Sequence, residues 1–192
     1  MRDIDIRSSL RSKLPFIHNS NSNIRIIEEL GLCQGTVRVD IAVIDGALHG
    51  YEIKSDQDTL ERLPLQKQIY SQVLDTVVLV FSGRNVDKVT SQVPQWWGIW
   101  QAVEHDEQVE FEVIRNPELN PDVEPNSLVQ CLWRDEALSI LKERGLAQGL
   151  ERKPRAILWQ KLTETIPLTD LKVLVRNQLH IRENWRSDSP QA

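Results

Sequence analysis

Cysteine is scarce in this chain, two in 192 residues, and Cys33 and Cys131 stand far apart with no C-x-x-C pair or Cys/His cluster beside either. That spacing supports neither a disulfide framework nor a structural zinc site, and it fits a reducing cytoplasm. Long apolar runs are missing too. The opening MRDIDIRSSL has no hydrophobic signal segment and no later run approaches bilayer-spanning length, so a soluble cytoplasmic protein with no membrane partner is expected. No Walker-type or dinucleotide-binding glycine loop is present, and no internal repeat. The four histidines, His18, His49, His105 and His180, are scattered without ligand spacing. Each reads as a surface or satisfied core residue, with His49, inside a hairpin, the one to watch. An excess of basic charge is also lacking: 23 Lys and Arg face 28 Asp and Glu, a net charge of −5. That balance argues mildly against a stand-alone nucleic-acid binder.

What is present suits one sizeable core with a small appended subdomain. Charge is unevenly placed. Residues 104–124 hold eight acids and one arginine, whereas residues 134–192 hold eleven Lys and Arg against eight Asp and Glu. The acidic stretch reads as solvated faces and an acidic loop.

Ile6, Leu10 and Leu14 recur at four-residue spacing and predict an N-terminal helix ending before Pro15, followed by a polar loop, HNSNSN. NIRIIEELGL reads as a strand because of its isoleucines. TVRVDIAVI alternates, with Val37, Val39, Ile41 and Val43 on one face and Arg38, Asp40, Ala42 and Ile44 on the other. Beyond the Asp45-Gly46 turn, LHGYEIKS puts Tyr51 and Ile53 on one face and Glu52 and Lys54 on the other. A helix with Leu60, Leu63, Tyr70, Val73 and Leu74 follows, Pro64 near its start. TVVLVF predicts a strand covered on both faces. A short helix over 86–93 and a strand around WWGIW complete an α/β core, in which Trp96, Trp97 and Trp100 read as packing rather than base-stacking residues. The last third is helical: one segment is carried by Leu138 and Leu141, a second by Ile157, Leu158 and Leu162 after Pro154, and a third is capped by Thr169. The organisation expected is an α/β core over residues 1–115, a linker over 116–126 and a helical region over 127–192.

Asp40, Glu52 and Lys54 are out of place in a core hairpin. A half-buried carboxylate on a strand needs a partner, a hydrogen bond or a metal. One reading is a surface ion network of Arg38, Asp40, Glu52 and Lys54, of about 0–1 kcal/mol per exposed pair. The hairpin loop decides whether a site forms. A two-residue loop pairing Ile44 with Ala47 places Asp40 opposite Tyr51, away from Glu52. An odd loop with Gly46 in the left-handed conformation gathers Asp40, Glu52 and Lys54.

An Asp on one strand and E-I-K on the next, followed by a helix carrying QKQIY, resembles the PD-(D/E)XK superfamily of nucleases and restriction endonucleases over residues 3–102. The Gln66 and Tyr70 spacing resembles the Q-x-x-x-Y of RecB-like nucleases, one helical turn apart. The whole chain also resembles a group of small bacterial proteins of that superfamily. Val39 stands where its pattern often has proline. The resemblance implies a restriction-endonuclease-like mixed central sheet flanked by helices. It also implies metal-dependent hydrolysis of nucleic acid, DNA in preference to RNA, with Asp40, Glu52 and Lys54 catalytic. Mg²⁺ or Mn²⁺ would be held by Asp40, Glu52 and the Ile53 carbonyl. Gln66 and Tyr70 are auxiliary, or else a helix-surface amide and a core aromatic. Some members use a further acid that precedes the motif, for which Glu28 and Glu29 are the candidates here. Apart from the resemblance, the basic cluster Arg152, Lys153, Arg155 and Lys161 at the start of a predicted helix reads first as a solvated helix face and, as the alternative, as a phosphate-contacting surface. A homodimer or a protein partner is a further expectation, and the alternative function is a non-catalytic module binding nucleic acid or protein through the same fold.

Overall fold

The computed structural model describes residues 1–18, 23–56, 58–83, 86–106, 108–183 and 185. Its centre is a six-stranded mixed sheet in sequence order: β1 (Arg25–Leu32), β2 (Val37–Ile44), β3 (Leu48–Lys54), β4 (Thr76–Ser82), β5 (Gly98–His105) and β6 (Gln108–Arg115). β1, β2 and β3 are antiparallel, β3, β4 and β5 are parallel, and β6 returns antiparallel to β5. The two parallel steps pass through α2 (Leu63–Val73) and α3 (Val86–Thr90), as parallel neighbours require a crossover. The polar loop expected at 18–23 falls mostly on residues outside those described.

The sheet is covered on both faces. Helix α1 (Asp3–Ile17) lays Ile6, Leu10 and Leu14, each fully buried, on one face, where they meet Ile41, Val43, Tyr51, Ile53, Val78 and Val80. Burying three such side chains contributes about 1.5–3 kcal/mol each. On the other face α2 joins α4 (Pro125–Leu128), a 3₁₀ turn (Val129–Cys131), α5 (Arg134–Glu143), α6 (Arg155–Thr165) and α7 (Leu168–Ile181) in one larger core. β4 shows the double covering directly: Val77, Leu79 and Phe81 enter the larger core and Val78 and Val80 the smaller.

Several expectations need correction. Helix α1 runs through Pro15, which sits in its last turn, where the lost hydrogen bond would have used the carbonyl of exposed Arg11. The acidic stretch contains strand β6, on the sheet edge, with Val109 and Phe111 inward and glutamates outward. Charge on an edge strand discourages further pairing, which is why composition suggests a loop there. Thr169 lies inside the first turn of α7, whose N-cap is Pro167.

The most consequential correction concerns β2, whose alternation breaks in the middle. Val37 and Val39 pack with Ala42 and Ile44 in the larger core, whereas Ile41 and Val43 enter the smaller one. The strand changes faces at Asp40. Its neighbour β1 breaks at the same level, at Glu29, a non-glycine residue with φ of 53°. Strain of about 1–3 kcal/mol at such a residue persists only where surroundings enforce it. The residues between 115 and α4 are tied down: Asn120 is buried and its side-chain amide donates to the Ser71 and Leu74 carbonyls, both at 2.7 Å. Gly98 is needed here, since a Cβ on it would come within 2.8 Å of Pro117 Cδ.

Candidate active site

The β2–β3 hairpin sets the site. Ile44 pairs with Leu48, leaving Asp45, Gly46 and Ala47 as a three-residue loop with Gly46 at φ of 107°. Only glycine adopts that conformation without strain. The register places Ile41 opposite Tyr51, and hence Asp40 at the level of Glu52. There the ladder ends and the strands part. The Asp40 side chain takes over the role of a backbone acceptor: its Oδ2 receives the Ile53 N–H at 2.7 Å. In an extended strand the N–H and C=O of one residue point to the same side, so the Ile53 carbonyl also faces the gap.

The parted strands open a cleft of ≈ 550 Å³ lined by Asp40, Glu52, Ile53, Lys54 and Gln66, with Glu29, Arg38, Asp58 and Arg62 around them. Glu52 is 2% exposed. Its Oε1 accepts from Lys54 Nζ at 2.7 Å and from Gln66 Nε2 at 2.6 Å, and its Oε2 lies 2.6 Å from the Tyr70 hydroxyl. That hydroxyl is also 2.7 Å from the Arg38 carbonyl, so its one proton serves two acceptors. Three donors on one carboxylate satisfy the rule that a buried charge must be paired. Gln66 and Tyr70 come from one face of α2, four residues apart. Gln66 is buried rather than a surface amide, and its Oε1 has no hydrogen-bond partner among the described residues. Tyr70 is both a core residue, stacked on Trp97 at 5.9 Å, and a ligand of Glu52. Burial, and then the Glu52 charge, push its phenol far above the ordinary range.

Arg7, which the sequence does not single out, closes the cleft from α1. Its Nη2 donates to Asp40 Oδ1 at 2.7 Å, and its Nη1 reaches Glu29 Oε1 at 2.9 Å. Nothing in a helix-surface arginine announces a partner 33 residues away. Glu29 therefore reaches the cleft, whereas Glu28 pairs outward with Arg11. Burial, and next the proximity of Glu52, raise the Asp40 carboxyl above its usual range, against the Ile53 N–H and Arg7, which hold it down. The Asp40 and Glu52 carboxylates thus face one cleft, with Arg7 and the Ile53 N–H donating to the first and Lys54, Gln66 and Tyr70 to the second.

The basic cluster lies on the same side of the molecule as the β1–β2 turn. Arg155 at the start of α6 donates to Gln34 Oε1 at 2.6 Å and stacks over Trp159, and Gly35 and Thr36, the residues after Gln34, line the cleft. Arg152 and Lys153 are exposed and Lys161 is half-buried. Among the described residues the histidines do not line the cleft. Cys33 and Cys131 are free thiols.

A family model described as Bacteriophage P4 protein cII matches residues 5–190. Protein cII of Enterobacteria phage P4 is 24% identical over 165 residues, 85% of this chain and 62% of that protein's length. The chain thus spans less than two thirds of this relative. No solved structure matches.

Proposed function

The chain belongs to the bacteriophage P4 protein cII family, and we propose that it is a metal-dependent phosphodiesterase of restriction-endonuclease-like fold that hydrolyses nucleic acid, DNA in preference to RNA. The observation that carries this reading is the parting of β2 and β3 at Asp40, which turns the Asp40 and Glu52 carboxylates, Lys54 and the Ile53 backbone toward one cleft. The antiparallel β1–β3 unit followed by the β3–α2–β4 crossover supports the PD-(D/E)XK likeness, in the same element order.

The donor set fits a hard divalent cation. Asp40, Glu52 and the Ile53 carbonyl offer oxygen, as Mg²⁺ and Mn²⁺ require, and the orphaned Gln66 Oε1 is a buried acceptor beside them. Such an ion, when bound, polarises the phosphate and acidifies a water. Lys54, held at Glu52, positions that water or neutralises charge growing on the phosphate oxygens. Gln66 and Tyr70 fix the Glu52 rotamer, so that little reorganisation accompanies the reaction. Arg7 orients Asp40 from α1.

One observation favours the non-catalytic alternative. The Arg7 guanidinium already pairs with both Asp40 and Glu29, as it would in a module that binds nucleic acid or protein without cutting. Incubation with plasmid, oligodeoxynucleotides and RNA, with and without Mg²⁺ or Mn²⁺, separates the two. Cleavage is expected only with metal, and Glu52→Gln and Lys54→Ala should each lower its rate by about 10²–10³-fold or more with circular dichroism unchanged. Cleavage surviving in both variants places the chemistry elsewhere, and binding without cleavage supports the module.

A further inference from the structure

At the far end of the β2–β3 hairpin from the cleft, three elements bring together side chains that lie apart in the sequence. His18 ends α1, Asp45 opens the hairpin loop and His49 lies on β3. His18 Nδ1 is 2.6 Å from Asp45 Oδ2, and His49 Nε2 is 2.6 Å from Asp45 Oδ1. One ligand atom from each residue falls within 4.8 Å of the other two. The imidazole rings are 4.7 Å apart between centroids.

We propose that His18, Asp45 and His49 form a binding site for a divalent transition-metal ion of the zinc class, distinct from the oxygen-lined cleft. Two imidazole nitrogens and a carboxylate oxygen match that class, whereas Mg²⁺ prefers oxygen alone. Among the described residues three protein ligands meet here, short of the four that a tetrahedral ion takes. The side chains are 8%, 19% and 19% exposed, so the site is reachable from solvent yet walled by protein.

The surroundings of the rings are built as a metal site requires. The outer nitrogen of each ring meets a hydroxyl at 2.7 Å: Tyr51 for His18 Nε2 and Thr76 for His49 Nδ1. A hydroxyl either donates or accepts by turning its proton. Without metal, the inner N–H groups donate to Asp45 and the outer nitrogens accept from the hydroxyls. With metal, each neutral ring carries its proton outward, the hydroxyls accept it, and both inner lone pairs face the ion. Outer hydrogen bonds of this kind fix tautomer and ring orientation in metal-bound histidines. The N···O separations must widen to about 3.3 Å around an ion with bonds near 2.0–2.1 Å, a small swing for side chains at a surface turn. A bound ion would clamp the end of α1, the helix that carries Arg7 to Asp40, and the site stands whether or not the cleft is catalytic.

The full chain, stripped with chelator, is titrated with Zn²⁺ by calorimetry and with Co²⁺ by visible absorption. One ion per chain is expected at this site, besides any held by the oxygen-lined cleft, with Co²⁺ ligand-field bands of low coordination number and a zinc-dependent rise in Tm. His49→Gln and Asp45→Asn should abolish binding. Tyr51→Phe should weaken it by about 10–100-fold, while Glu52→Gln leaves it unchanged. X-ray absorption at the zinc edge of the wild-type protein, which depends on no variant folding, should report two imidazole ligands. A wild-type chain that binds neither ion, an edge spectrum without imidazole, retained affinity in His49→Gln and Asp45→Asn, or loss of binding in Glu52→Gln each overturns the proposal.

Discussion

Asp40 is held by opposing demands. Burial and the neighbouring Glu52 favour its protonated form, while Arg7 and the Ile53 N–H favour the carboxylate, and the balance lies on the raised side. Because its folded value lies above that of an unfolded aspartate, ionising Asp40 costs the fold stability, and the cost grows as pH rises from about 3.9 toward the raised value. A divalent cation reverses this by binding only the ionised form. Metal affinity is therefore expected to fall as pH is lowered through the raised Asp40 value, with proton release on binding. Mg²⁺ or Mn²⁺ titrations in two buffers of different ionisation enthalpy measure that release directly, and a buffer-independent heat would show that Asp40 is already ionised. In Asp40→Asn the proton release should vanish along with most of the affinity. Arg7 orients Asp40 through its Oδ1, so Arg7→Gln should weaken metal binding, and tighter binding would show that Arg7 instead competes with the ion for that oxygen.

Between elements, Asp75 ties β3, α7 and the segment around Asn120 together. It accepts the Leu48 N–H at 2.8 Å, receives Lys172 at 2.9 Å and Arg176 at 3.1 Å from α7, and offers its carbonyl to Asn120 N–H at 2.8 Å. Burial alone would raise its carboxyl; the Lys172 and Leu48 hydrogen bonds and the two cations outweigh that and lower it. A lowered folded value contributes stability that is complete above an unfolded aspartate's pKa of about 3.9 and is lost as pH falls through the folded one. Asp75→Asn keeps an acceptor for Leu48 but strands two cations, and should cost about 1–3 kcal/mol in urea unfolding at neutral pH, shrinking as the wild type is acidified below pH ~4. Such long-range ties explain what a sequence reveals of this fold and what it conceals. The β3 and β4 strands and α2 were legible because their periodicities are local. The hairpin's odd loop was open on parity and settled by Ile44 pairing with Leu48. The face change at Asp40 was illegible, since Val37, Val39, Ile41 and Val43 alternate faultlessly and only the parted ladder reverses them. Likewise Arg182, buried against Glu136 at 2.7 Å between Trp133 and Trp185, reads in sequence as an ordinary helix-end arginine.

Across the whole molecule the question is how a chain of net charge −5 could hold a polyanion, as the proposed function requires. The acids are spent in places that need not face it. The β6 glutamates line a sheet edge on the opposite side of the sheet order from β1 and β2, and Asp75 and Glu136 are neutralised internally. Around the β1–β2 turn the balance differs, because Arg155 bonds Gln34 next to the cleft-lining Gly35 and Thr36, and exposed Arg152 and Lys153 precede it in the chain. A strand seated in the cleft and leaving across this turn would pass the basic cluster, which favours it as the phosphate-contacting surface over a solvated helix start. Reversing Arg152, Lys153 and Arg155 to glutamate should then weaken binding to duplex DNA and lower the log–log salt slope by about 0.9 for each phosphate that is no longer neutralised. Metal binding at Asp40 and Glu52 should stay unchanged, since none of the three touches the cleft carboxylates. Fluorescence anisotropy with a labelled duplex across a salt series measures both quantities. An unchanged affinity and slope in the folded triple variant would exclude this surface and assign the missing positive charge to a partner subunit.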